Sequence, residues 1–138
     1  MGAGIRERQD LSWRHMSPPT LLLVDDDRFV RNLLKDAILQ SGLEVRMLEA
    51  EDGREGLEVA ERERPALMLL DLFMPHCSGL EVLEVLKHRS PDTRVLIISS
   101  MDAEPVVEQA LSAGAVGFVG KPFHPLEIAH AVRQALAH

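Results

Sequence analysis

Only one cysteine, Cys77, occurs among 138 residues. No intrachain disulfide can form, so packing must hold the fold; a reducing compartment is compatible with this. Aromatic residues make up 4%, which leaves Leu, Val, Ile, Ala and Met to build the core. No apolar run approaches the roughly 20 residues needed to span a bilayer, and the N-terminus lacks the basic-then-apolar pattern of a secretory signal. A cytoplasmic location away from the membrane is expected. Positive charge is in deficit, with a formal net charge of −7. A phosphate-driven nucleic-acid interface needs a basic face, so direct nucleic-acid binding is not expected. Neither Gly-rich nucleotide loop, G-x-G-x-x-G or G-x-x-x-x-G-K-[ST], occurs. Any phosphoryl donor is therefore expected to be something other than a resident ATP.

What is present fits one soluble domain: 46% hydrophobic and 27% charged residues on a chain of ordinary domain length. Residues 1–19 carry mixed charge without a sustained period and end in Ser17-Pro18-Pro19. They read as a flexible leader, with Met16 a plausible second start and Trp13 the residue that could dock it. The domain proper is expected over residues 20–138.

From Thr20 onward, short unbroken apolar runs alternate with amphipathic stretches. The runs are Leu21 to Val24, Val45 to Leu48, Ala66 to Leu70, Val95 to Ile98 and Ala115 to Val119. Such runs suit strands buried on both faces, as in a parallel sheet covered by helices. Between them, Val30, Leu33, Leu34, Ala37 and Ile38, then Val106, Val107, Ala110 and Leu111, follow a helical period. Gly42 and Pro65 stand where two helices should stop, and Ile128, Val132 and Leu136 mark a last helix. Five βα units predict a doubly wound α/β domain. Its ligand site should lie at the carboxyl ends of the strands, near the point where strand order reverses.

Those strand ends carry Asp25, Asp26 and Asp27, then Asp71, then Ser99 and Ser100, then Gly120, Lys121 and Pro122. Each alone has an ordinary explanation, as a helix cap, a loop residue, a core hydroxyl or a solvated charge. Together they read as a phosphoryl-transfer site. Paired carboxylates suit a hard divalent cation such as Mg²⁺, a Lys and a hydroxyl can hold phosphoryl oxygens, and an aspartate can itself be the nucleophile. His76 and Cys77 are adjacent, but two ligands do not make a metal site.

The segments "VDDD", "DLFMPHCSG", "VLIISSMDA" and "GFVGKPF", in this order and spacing, resemble the receiver domain of two-component response regulators, the CheY-like family, from about Thr20 to the C-terminus. The resemblance implies a flavodoxin-like (βα)5 fold with strand order 2-1-3-4-5. It implies that Asp71 is the phosphoacceptor and takes a phosphoryl group from a sensor histidine kinase or a histidine phosphotransfer protein. Mg²⁺ would be held by Asp26, Asp71 and the Phe73 carbonyl, with Asp25 acting through a water. Lys121 would bridge to the phosphoryl group before a cis Pro122, Ser99 would be the switch hydroxyl and Phe118 the switch aromatic. The switched face, formed by the fourth helix, fifth strand and fifth helix, would engage a downstream protein or a second copy in a phosphorylation-dependent homodimer. Such a domain is no enzyme beyond its own phosphorylation and dephosphorylation.

Asp27 falls on a variable position and is expected to cap the helix beginning at Arg28; Ser78 is expected to cap the helix after it. Phe73 and Met101 stand two residues after the phosphoacceptor and the hydroxyl, flanking the path of the hydrolytic water in this family. Both are bulky and apolar, which predicts a slowly hydrolysed phosphoaspartate. Two other readings stay open at this point. An aspartyl-nucleophile phosphohydrolase would use Asp25 and Asp27, although Phe29 stands where that pattern has Thr or Val. A flavin-binding flavodoxin-like protein would need a phosphate-cradling loop after the first strand.

Overall fold

Alternation within each central strand explains why its sequence is apolar throughout. A computed structural model describes residues 18–100 and 104–137. It holds a five-stranded parallel sheet of β1 (Thr20–Val24), β2 (Arg46–Ala50), β3 (Leu67–Leu70), β4 (Arg94–Ser100) and β5 (Gly117–Lys121), in the order β2-β1-β3-β4-β5. The helices are α1 (Arg28–Gln40), α2 (Gly53–Glu63), α3 (Gly79–Arg89), α4 (Glu104–Ser112) and α5 (Pro125–Ala137).

Successive strand side chains point to opposite faces. Leu22, Val24, Met68, Leu70, Val95 and Ile97 pack under α2, α3 and α4 with Leu57, Val82, Leu86 and Val107. Leu21, Leu23, Leu67, Leu69, Leu96 and Ile98 face α1 and α5, meeting Leu34, Ile38, Ile128 and Val132. Each strand thus supplies two cores at once. That is the doubly wound, flavodoxin-like arrangement expected from the sequence, and the chain of Met101 and residues 1–17 lies outside the described residues.

The two edge strands depart from the expected runs. β2 occupies Arg46–Ala50, not Val45–Leu48, and only Ala50 in it is buried. β5 occupies Gly117–Lys121, not Ala115–Val119, with Val119 its one buried residue. An edge strand is covered on fewer sides, so its apolar run reports contact with helices while its limits are set by pairing with β1 or β4. A second correction falls on α1: Leu33 is 41% exposed, whereas Arg31, at helical spacing from Leu34 and Ile38, is buried. Leu111, expected on the inner face of α4, is likewise exposed.

Helix ends follow the expected chemistry. The Asp27 carboxylate accepts from the Phe29 N–H at 2.9 Å and caps α1, and the Ser78 hydroxyl accepts from the Glu81 N–H and caps α3. Gly42 follows α1 with φ +79°, and Arg64, just before Pro65, closes α2 in the left-handed region. The β1/β3 neighbourhood is where strand order reverses, since β2 lies on one side of β1 and β3 on the other. The crevice beyond the ends of β1 and β3 is the site the topology provides.

Candidate functional site

Asp25 and Asp71 continue β1 and β3 into that crevice. The Asp25 N–H donates to Ala50 O at 3.2 Å, and the Asp71 N–H donates to Val24 O at 3.0 Å. Their residues are 2% and 6% exposed, while Asp26 faces solvent. One carboxylate oxygen from each of Asp25, Asp26 and Asp71 lies within 4.8 Å of the others.

Lys121 arrives from the end of β5, followed by a cis peptide bond to Pro122. Its ammonium donates to Asp25 Oδ2 at 2.8 Å and stands 3.6 Å from Asp71 Oδ2. The remaining Asp25 oxygen, Oδ1, accepts from the Asp27 N–H at 2.8 Å. Asp71 Oδ1 accepts a long bond from the Phe73 N–H at 3.3 Å. Burial pushes the Asp71 carboxyl up to about 6; Lys121 opposes this, and the negative charges of Asp25 and Asp26 add to it. Burial pulls the Lys121 ammonium down, but its bond to Asp25 and attraction to Asp71 outweigh this and raise its pKa.

The loop between Asp71 and α3 is drawn tight by Gly79. A Cβ there would lie 2.6 Å from Asp71 O and 2.7 Å from Leu72 Cα, and the Gly79 N–H donates to Leu72 O at 3.0 Å. Only glycine lets α3 begin this close to the backbone of Asp71. Phe73, on the same loop, is 54% exposed.

Ser99 ends the buried part of β4. It is fully buried, and among the described residues its hydroxyl is the one buried side-chain polar atom without a hydrogen-bond partner. The sequence allowed a satisfied core hydroxyl here; the structure corrects that. A buried orphan of this kind costs on the order of 1–3 kcal/mol and calls for a reason. Ser99 lies opposite Gly120 in the β4/β5 register, and Phe118 lies opposite Ile97. Ile97 and Ser99 share one face of β4, so Phe118 is on the same face as the hydroxyl, half-buried against the α2–α4 core.

Three residues of the neighbourhood escaped sequence reasoning. Arg31 Nη1 donates to the Asp25 carbonyl at 2.6 Å, and its Nε donates to Glu49 Oε1 at 2.9 Å. Lys35 donates to Glu49 Oε2 at 2.8 Å. The signal was a charge at a core-facing helical position and a second charge inside a strand. His76 and Cys77 hold no cluster: His76 is exposed, and Cys77 is half-buried with a thiol pKa raised by burial and by Glu81 and Asp52. His124 opens α5, its Nδ1 accepting from the Leu126 N–H.

Chemically, three carboxylates against one ammonium leave two uncompensated negative charges. With hard oxygen donors and an open side at Asp26, that set fits a divalent cation such as Mg²⁺, which keeps several waters and takes few protein ligands.

Residues 21–133 match the family model described as the response regulator receiver domain. The chain is 33% identical over 114 residues to the chemotaxis protein CheY of Thermotoga maritima, covering 83% of this chain and 94% of that protein. It is 37% identical over 123 residues to the nitrate/nitrite response regulator protein NarL of Escherichia coli K12, covering 89% of this chain and 57% of that protein. Among solved structures, the response regulator domain of Thermotoga maritima CheB superposes with a TM-score of 0.78 at 32% identity, over 88% of this chain and 98% of that one. The receiver domain of the putative response regulator NarL from Mycobacterium tuberculosis gives 0.80 at 34% identity, over the same shares.

Proposed function

Because the chain belongs to the response regulator receiver domains of two-component signalling, we propose that it takes a phosphoryl group onto Asp71 from a phosphohistidine of a kinase or phosphotransfer protein. The observation that carries this reading is the convergence of Asp25, Asp26 and Asp71 within 4.8 Å, with Lys121 reaching two of them. A buried carboxylate shifted to about 6 is mostly ionised at neutral pH and more basic than a solvated one, which favours it as a nucleophile. An Asp71 oxygen attacks phosphorus, the P–N bond breaks, and the imidazole leaves with the electron pair and takes a proton. Lys121 is placed to exchange part of its hold on the carboxylates for the new phosphoryl oxygens.

Asp26, Asp71 and the Phe73 carbonyl would hold Mg²⁺, with Asp25 acting through water. When bound, the ion offsets the charge of about −1.5 to −2 that phosphorylation adds to an acidic crevice. Ser99 supplies the switch. Its unpartnered hydroxyl gains an acceptor when phosphoryl oxygens appear, and its movement frees space on the face it shares with Phe118. Inward rotation of Phe118 then alters the α4-β5-α5 face, which a downstream protein or a second copy reads. Leu126, 73% exposed where α5 begins, offers that face an apolar contact. No described helix is long and apolar enough to cross a membrane.

Titration with beryllofluoride and Mg²⁺, followed by backbone amide NMR, should move the resonances of Asp71, Ser99 and Phe118 in the wild type and leave Asp71→Asn unchanged. Equal shifts in both proteins would contradict the assignment. Phe73 and Met101 are apolar and offer no acceptor to orient a water, so the phosphoaspartate should be long-lived. Replacing Phe73→Asn together with Met101→Glu should raise the rate of phosphate release several-fold. An unchanged rate would remove both residues from this role.

A further inference from the structure

The guanidinium of Arg31 is the least expected group beside the crevice. It is buried on the inner stripe of α1, where a cation is costly unless paired. Two of its three nitrogens are engaged: Nη1 with the Asp25 carbonyl at 2.6 Å and Nε with Glu49 on β2 at 2.9 Å. Glu49 is itself clamped by Lys35 at 2.8 Å, and its pKa is lowered, first by that bond to Lys35 and also by Arg31. The backbone of Asp25 is consequently held on both sides of its Cα, its N–H by Ala50 O and its carbonyl by Arg31. That carbonyl belongs to the peptide unit that leads directly into Asp26.

Resting on the reading of Asp25, Asp26 and Asp71 as a Mg²⁺ site, we propose that Arg31, braced by Glu49, is a positioning residue: it locks the Asp25–Asp26 peptide in the orientation that brings both carboxylates to the cation. Arg31 touches neither the cation nor the reacting atoms, and it acts through the backbone. Its forked geometry is required, because one guanidinium bonds a carbonyl and a carboxylate on different elements at once, which a single ammonium cannot do with the same geometry. Groups that orient metal ligands typically govern affinity by 10–100-fold.

Coulomb forces and positioning predict opposite signs here. Arg31 is a cation near a cation site, so deleting its charge should tighten Mg²⁺ binding on electrostatic grounds alone. Positioning predicts that binding weakens. The test is the Mg²⁺ dissociation constant by isothermal titration calorimetry for wild type, Arg31→Gln, Arg31→Lys, Lys35→Gln and Asp26→Asn, each paired with melting curves in EDTA and in Mg²⁺. Arg31→Gln and Arg31→Lys should both weaken Mg²⁺ by roughly tenfold and shrink the Mg²⁺-induced rise in melting temperature. Lys35→Gln removes the same charge one step further out and leaves both bonds of Arg31 in place, so it should weaken Mg²⁺ binding less than either Arg31 variant does.

Wild-type or tighter affinity in Arg31→Gln and Arg31→Lys would overturn the proposal, as would equal weakening in Lys35→Gln. A melting temperature lowered equally with and without Mg²⁺ would show that Arg31 serves the fold alone and would also overturn it. Asp26→Asn separates the two levels. Undiminished Mg²⁺ binding there would sink the metal site itself, whereas lost binding there beside wild-type binding in the Arg31 variants would sink only the positioning role.

Discussion

Asp71 is held in a state that the fold alone does not favour. Its pKa of about 6 lies above the ordinary carboxylate value of 3.8, so the folded protein binds more protons than the unfolded chain between about pH 4 and 6. Stability contributed by this group is present below about pH 4 and is lost as pH rises through 6. At neutral pH in EDTA the ionised carboxylate costs on the order of 3 kcal/mol. Asp71→Asn should therefore be more stable than wild type to urea at pH 7, with the difference shrinking towards pH 4; a pH-independent difference would contradict the burial of this charge. Ser99 carries a related cost. Ser99→Ala removes a buried hydroxyl without a partner and should stabilise the unphosphorylated protein by about 1 kcal/mol, while Phe118 should cease to respond to beryllofluoride. A destabilised variant with an intact response would show that the hydroxyl has a partner after all. In both residues the cost is visible only in burial and hydrogen bonding, and costs of this kind are expected where a site is built.

At the scale of elements, much was legible because strands and caps announce themselves chemically. The central runs at β1, β3 and β4 read as buried strands because each feeds two cores, and Asp27 and Ser78 read as caps because their side chains can accept from the next helical turn. Asp27→Ala should cost about 1 kcal/mol in a chemical melt and leave phosphorylation intact, which separates it from Asp25 and Asp26. Loss of phosphorylation in Asp27→Ala would make it part of the site. The edge strands were less legible, since β2 and β5 are half-covered and their limits depend on pairing with β1 and β4. Arg31 and Glu49 were missed for a different reason. A charge inside an apolar period looks like a flaw in one segment, and it makes sense only when Glu49 on β2 is seen to pair with Arg31 and Lys35 on α1.

For the molecule as a whole, the three carboxylates lie 46 positions apart in the chain between Asp25 and Asp71, and Lys121 is 96 from Asp25. Strand order alone brings them together, because β1 and β3 are neighbours and β5 ends on the same rim of the sheet. The sequence showed which residues stand at strand ends; it did not show that Lys121 lies closer to Asp25 than to Asp71, or that Ser99 is left without a partner. Both fit the proposed role of this crevice in holding a cation and a phosphoryl group. The most direct test of that account is intact mass after incubation with a small acyl phosphate and Mg²⁺. The wild type should gain the mass of one phosphoryl group, and Asp71→Asn should gain none. An equal gain in both proteins, or no gain in the wild type, would contradict it.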